Sequence, residues 1–257
     1  MWGRRKSFAC SVLSMRGRLD IRLVACGLAP SRETAKRLIL AGVVRVNGQR
    51  ASKASDLVAD DAALEVEAPE KYVSRGGHKL EAALESLNIF CGDLVCADIG
   101  ASTGGFTDCL LQRGAARVHA VDVGRGQLGW RLRLDARVIV HDHLNARRLG
   151  PTDIGEPVDL VTIDVSFISL TKVLPAAVSV LKPGGTVIAL IKPQFEAGRK
   201  FVKKGGVVRD SQVHETVKRD IQEFATKTLG LTLVGTVESP LLGPAGNKEF
   251  FVGLRKP

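Results

Sequence analysis

The stretch ADIGASTGGF, Ala97–Phe106, starts as a buried strand and runs into a loop of small residues that ends in two adjacent glycines. A strand, a glycine loop and a helix start in succession form the ligand-holding corner of an open α/β sheet. Gly104 and Gly105 carry no side chain, so a ligand is expected to press against their backbone. The loop is G-A-S-T-G-G rather than G-x-G-x-x-G, and alone it leaves the ligand undecided.

Working outward, DLVCADIG, ARVHAVDVG, ARVIVHD, VDLVTIDVS and GTVIALIKPQF are five strand-like runs separated by helix-length segments. LTLVGTVES and KEFFVGLRK follow after one further helix, SQVHETVKRDIQEFATKTLG. Alternation of this kind predicts an α/β domain, a Rossmann-like, mostly parallel seven-stranded sheet that ends in an antiparallel pair. Ligands of such sheets sit outside the carboxyl ends of the strands, and three successive strands here end in an acid: Asp122, Asp142 and Asp164. One such acid alone reads as a helix N-cap, and Asp142, between His141 and His143, is the most open to that reading. Asp164 continues as Val-Ser-Phe, neither an Asn/Asp-Pro-Pro-aromatic turn nor a Pro-Cys. That argues against attack on a base amino group and against a cysteine adduct to a pyrimidine. Lys192 follows the fifth strand, in IKPQF.

The chain ahead of this region differs in charge. Residues 1–53 hold 12 Lys/Arg and 2 Asp/Glu, whereas residues 54–257 hold 25 of each, so a net charge of +10 falls in the first fifth of the chain. Segregation on that scale favours a polyanion partner. RLDIRLVACGL places Leu19, Leu23 and Cys26 on one helical face; SRETAKRLILAG opens on a Ser cap and stops at Gly42; VVRVNGQRA carries the Asn-Gly hairpin signal. These readings divide the chain into a flexible extension (1–16), a small basic α+β domain (17–66) that these patterns alone leave open as an adaptor, a linker (67–72) and the large α/β domain (73–257). The basic start MWGRRKSFACSVLSM lacks the apolar core and cleavage pattern of an export signal, and no apolar run reaches the ~18–20 residues of a membrane span. Five cysteines without Cys-x-x-Cys spacing predict thiols in a reducing cytoplasmic setting, with no metal site.

Two resemblances follow from these motifs. LAPSRETAKRLILAGVVRVNGQ resembles the RNA-binding domain shared by a small-subunit ribosomal protein, pseudouridine synthases and several tRNA synthetases, which implies RNA contacts from Arg18, Arg22, Arg32, Lys36, Arg37 and Arg45. VSRGGHKL, DIGASTGGFTD, DVSFISL, LIKPQFEAG, KGGVVRD and GNKEFF stand in the order seen in the TlyA/hemolysin-like family, which joins that domain to an FtsJ-like ribose 2′-O-methyltransferase domain. The resemblance implies S-adenosylmethionine as cofactor and cytidine 2′-hydroxyls of ribosomal RNA or ribosomal subunits as substrate. It also implies a Lys79-Asp164-Lys192-Glu249 tetrad, with Lys192 as base, Asp164 orienting beside the methyl, and Lys79 and Glu249 in support. Gly100, Ser102, Gly104 and Asp164 are then expected at the cofactor, with Phe106 packed beside it, Asp122 on its ribose and Asp142 on its adenine amino group. A non-catalytic RNA-binding or ribosome-assembly factor, and a membrane-lytic haemolysin, are the competing readings; oligomeric state stays open.

Overall fold

The computed structural model describes residues 7–8, 16–67, 70–203 and 205–257. The chain forms two compact units, Met1–Glu70 and Lys71–Pro257. This boundary redistributes the charge: the first unit has 12 Lys/Arg against 8 Asp/Glu, and the second 25 against 19. The excess is therefore +4 and +6, and the large unit is not the neutral body expected from a cut at residue 53.

In the first unit, strands β1 (Ser7–Phe8), β3 (Val44–Val46), β4 (Gln49–Arg50) and β6 (Leu64–Val66) form a sheet in the order β1-β6-β3-β4; β2 (Gly17–Arg18) pairs with β5 (Leu57–Val58). Ser7 and Phe8 lie antiparallel to Glu65 and Leu64, so part of the expected loose extension covers an otherwise open strand edge. The rest of that extension, apart from Arg16, is outside the described residues. Helices α1 (Leu19–Ala25) and α2 (Arg32–Leu40) bury Leu19, Leu23, Ala35 and Ile39 against Val44 and Leu64. Ser31 Oγ accepts from the Thr34 amide and so caps α2. Asn47 and Gly48 take φ of 50° and 78°, the left-handed pair that a two-residue hairpin needs.

In the second unit all seven expected strands form: β7 (Val95–Ile99), β8 (Arg117–Val121), β9 (Val138–His141), β10 (Val158–Ile163), β11 (Leu181–Ile191), β12 (Thr232–Glu238) and β13 (Phe250–Arg255). Their order is β12-β13-β11-β10-β7-β8-β9, parallel except for β13, which runs antiparallel to both neighbours. The apolar residues of these strands alternate between two clusters. One packs under α3 (Gly76–Ser86) and α4 (Gly105–Gln112), around Leu80, Leu84, Phe106, Leu110 and Phe251. The other packs under α6 (Pro151–Ile154), α7 (Leu174–Val180) and α9 (Ser211–Glu223), around Ile99, Ile163, Leu174 and Val217. Two short helices, α5 (Trp130–Arg133) and α8 (Pro193–Glu196), follow the carboxyl ends of β8 and β11. Sheet order reverses at β7, whose neighbours are β10 and β8, and this places the switch point beside the glycine loop.

Candidate active site

Two strand registers and one helix bring the four tetrad positions to one place. Ile163 of β10 pairs with Ile99 of β7, and the next residue, Asp164, donates its amide to the Ile99 carbonyl at 2.9 Å. Ile191 of β11 pairs with Phe250 of antiparallel β13, so Lys192 and Glu249 are neighbours one step beyond that rung. Lys192 Nζ lies 2.5 Å from Asp164 Oδ1 and 3.0 Å from Ser166 Oγ. Lys79, in the first turn of α3, reaches Glu249 Oε2 at 2.6 Å. The arrangement is two ion pairs side by side, with no net formal charge.

The pairs differ in access. Lys79 and Glu249 have side chains 10% and 1% exposed, against 12% and 26% for Lys192 and Asp164. Glu249 Oε1 is buried and accepts no hydrogen bond among the described residues. A buried carboxylate oxygen without a donor is costly, and this one is packed against Gly243, where a Cβ would run into it. α3 is held in place by its approach to α4: a Cβ at Gly105 of α4 would lie 3.0 Å from the Gly77 amide and 3.2 Å from Gly76 Cα, and Asp108 of α4 accepts from the Val73 amide, just ahead of α3, at 2.8 Å.

The glycine loop answers its own question in an unexpected way. Gly104 has φ +98°, and a Cβ there would run into Leu132 and stand 2.7 Å from Leu128. At Gly105 it would meet Ser74 Oγ and come within 3.0 Å of the Gly77 amide. The bare backbone at these two residues lets the protein pack closely against itself. Phe106 is 3% exposed, with its ring 6.0 Å from that of Phe251 in the core. Gly100 belongs to the strand ends proper, since a Cβ there would lie 2.5 Å from the Asp164 carbonyl oxygen.

The acids after β8 and β9 keep acceptor capacity for an adenosine-bearing ligand. Asp122 accepts the Ser102 amide on one oxygen (2.8 Å) and the Gly124 amide on the other (2.7 Å). Each oxygen keeps a lone pair. Asp142 takes Arg133 (2.7 Å) and the Gly126 amide (3.3 Å) on Oδ2 alone. The Arg133 hydrogen bond holds its carboxyl below the usual range. Neither acid is a helix N-cap.

Sequence reasoning missed three residues. Asp98, fully buried under the loop, accepts from Thr107 Oγ1 (2.7 Å) and Thr162 Oγ1 (3.1 Å) and ties α4 and β10 to β7. Burial pushes its carboxyl up to about 7, so its ionised form weakens the fold as pH rises from about 4 towards 7. Ser166, in DVSF, accepts from Lys192; the next residue, Phe167, has φ +64° and is 89% exposed, its ring 5.0 Å from that of Phe195. A bulky residue held in the left-handed region and left in water marks a site that something else covers. The signal was present in the quoted stretch, but polar and aromatic loop residues do not announce their backbone conformation.

In the first unit the six expected RNA contacts divide. Arg22 pairs with Asp60 and is 14% exposed, a tie within the unit. Arg18 and Arg32 converge on the fully buried Asp20 at 3.1 and 3.2 Å. Arg37 lies 3.6 Å from Glu33, and Arg45 pairs with Glu67. Lys36 is exposed and has no ion pair among the described residues.

The strand order, the switch-point loop and the acids at successive strand ends define a Rossmann-like methyltransferase domain. Residues 72–256 match the model of the FtsJ-like methyltransferase family, and residues 17–62 that of the S4 domain. The 16S/23S rRNA (cytidine-2′-O)-methyltransferase TlyA of Mycobacterium tuberculosis is 49% identical over 95% of this chain and 91% of its own. Hemolysin A of Brachyspira hyodysenteriae is 41% identical over 91% of this chain and 97% of its own. A solved candidate hemolysin from Streptococcus thermophilus superposes with a TM-score of 0.72 at 44% identity, covering 94% of this chain and 88% of that one. The chain belongs to the FtsJ-like methyltransferase family and carries an S4 domain ahead of the methyltransferase domain. Among the described residues no helix is long and apolar enough to cross a membrane, and no cluster of His, Cys, Asp and Glu could hold a metal ion.

Proposed function

We propose that this chain methylates the 2′-hydroxyl of cytidine ribose in ribosomal RNA, using S-adenosylmethionine, in the cytoplasm. The observation that carries the reading is the pair of ion pairs, Lys79–Glu249 and Lys192–Asp164, set against the switch-point loop. Asp122 suits the two ribose hydroxyls of the cofactor, and the unused Asp142 Oδ1 suits its adenine amino group. Ser102 lends its amide to Asp122 and so couples the loop to that acid. When bound, the cofactor supplies a sulfonium methyl already activated for in-line transfer.

What remains for the protein is alignment and one proton. Lys79 and Glu249, paired at 2.6 Å, support the site from its buried side. Lys192 takes the hydroxyl proton as the bond to the methyl forms, and Asp164 and Ser166 fix the direction of its amine. A lysine accepts a proton only in its neutral form, so the ammonium held by Asp164 must first lose one. Positioned proton transfer of this kind supplies about 10²–10⁴-fold in rate. Phe167, exposed beside Ser166, offers its ring to the target base. Replacing Lys192 by Ala is expected to lower single-turnover methylation of ribosomal subunits by at least about 10²-fold, with cofactor affinity by calorimetry unchanged. Normal methylation by that variant would remove Lys192 from the role.

A further inference from the structure

Segment 128–134 presents two opposite faces. Leu128 and Leu132, each 6% exposed, pack on Gly104, while Trp130 and Leu134 are 72% and 64% exposed. The segment is pinned: the Gly129 amide donates to the Thr103 carbonyl at 3.1 Å, and Arg133 binds Asp142 at 2.7 Å. An isolated exposed apolar residue needs no explanation. Trp130 is not isolated in kind. The second unit exposes four large aromatics, Phe90, Trp130, Phe167 and Phe201, and all but Phe90 follow the carboxyl ends of strands, on the edge that holds the tetrad.

The cations differ between the two edges, although Arg133 and Lys192 at the carboxyl edge are paired with Asp142 and Asp164. At the amino edge of the sheet Arg117 pairs with Glu156 (2.5 Å), Arg137 with Asp135 (2.7 Å) and Lys182 with Asp159 (2.7 Å). At the carboxyl edge Arg125, Arg131, Lys172 and Lys200 are exposed and have no ion pair among the described residues. Lys200 instead lies 4.8 Å over the ring of Phe201. Unpaired cations interleaved with exposed rings are the means by which proteins hold single-stranded nucleic acid: charge follows the phosphates and rings stack on bases.

We propose that Trp130 is a stacking platform for an unpaired base of the RNA substrate outside the target nucleotide, with Arg125 and Arg131 on the flanking phosphates. The inference rests on the RNA-methyltransferase reading above, but its test needs no methyl transfer. The chain has two tryptophans, Trp2 and Trp130, so a full-length Trp2→Phe variant reports on Trp130 alone. Titration with a single-stranded oligoribonucleotide is expected to quench its fluorescence, and an RNA duplex of equal length is expected to leave it bright. Trp130→Ala is expected to weaken single-strand affinity about tenfold, Trp130→Phe to recover most of it, and neither to change the thermal midpoint. Quenching by S-adenosylhomocysteine but not by RNA would make Trp130 a wall of the cofactor site and overturn the proposal. A rise in sedimentation coefficient that Trp130→Ala abolishes, with no response to RNA, would give the face to a second copy and overturn it too. RNA quenching in a chain that never methylates RNA would support the platform and count against the enzyme reading alone.

Discussion

The cations of the two units are used differently. In the S4 unit, five of the six basic residues expected at RNA face an acid of the same unit, and one pair, Arg22–Asp60, is largely buried. On the carboxyl edge of the methyltransferase unit, Arg125, Arg131, Lys172 and Lys200 face solvent without an acid. Charge per residue type therefore misleads about where a polyanion binds. An arginine committed to a buried carboxylate maintains a fold, and one with no acid nearby keeps its full attraction for phosphate. On this comparison we propose that RNA recognition is shared, the S4 unit contributing Lys36 and a helical surface and the catalytic unit gripping the segment next to the target.

The largest test of that division removes the first unit. A chain starting at Lys71 is expected to bind cofactor as before and to lose about 10²-fold or more in methylation of ribosomal subunits, because tethering through a second site is gone. It should nonetheless retain weak, salt-dependent binding to single-stranded RNA. Loss of all RNA binding in a filter assay at low salt would make the carboxyl edge inert and break the comparison. Undiminished methylation would break it from the other side.

Asp20 tests the idea that paired cations serve the fold. The Arg18 hydrogen bond is the main cause that holds this buried carboxyl down at about 2, with Arg32 adding to it. A depressed carboxylate stabilises the folded state in full above its unfolded value near ~3.9, and that contribution drains away as pH falls towards 2. Asp20→Asn is expected to cost the S4 unit about 2 kcal/mol at pH 7. Hydrogen exchange of the α1 and α2 amides in the full-length chain would show this, with wild type and variant converging as pH falls from 4 to 2. Equal protection at pH 7 would free Arg18 and Arg32 for RNA.

What could be read in advance was set by periodicity. Seven strands, the Ser31 cap, the Asn47-Gly48 turn and the acids after β8, β9 and β10 are local patterns, each imposed by a few neighbouring residues. Long-range facts were less accessible. Nothing near Gly104 in sequence shows that Leu128 and Leu132 will fill the space beside it, so its bare backbone was assigned to a ligand. Nothing near Arg22 shows that Asp60 will close on it. The Lys79–Glu249 contact spans 170 residues and was foreseen only through family likeness, since spacing alone cannot bring α3 to β13.

The smallest expected effects sharpen the comparison most, because they are read in one quantity. Each phosphate contact contributes about one unit to the slope of log affinity against log salt, or somewhat less on a single strand. Arg125→Ala and Arg131→Ala should each lower that slope by just under one, with fold stability unchanged, because neither side chain has an ion pair to lose among the described residues. Arg22→Ala should do the opposite. It leaves the slope alone and destabilises the S4 unit, since the largely buried Arg22–Asp60 pair is lost. If Arg22→Ala lowers the slope while Arg125→Ala and Arg131→Ala do not, RNA follows the S4 unit alone, and the unpaired cations around the methyltransferase site are ordinary solvated surface.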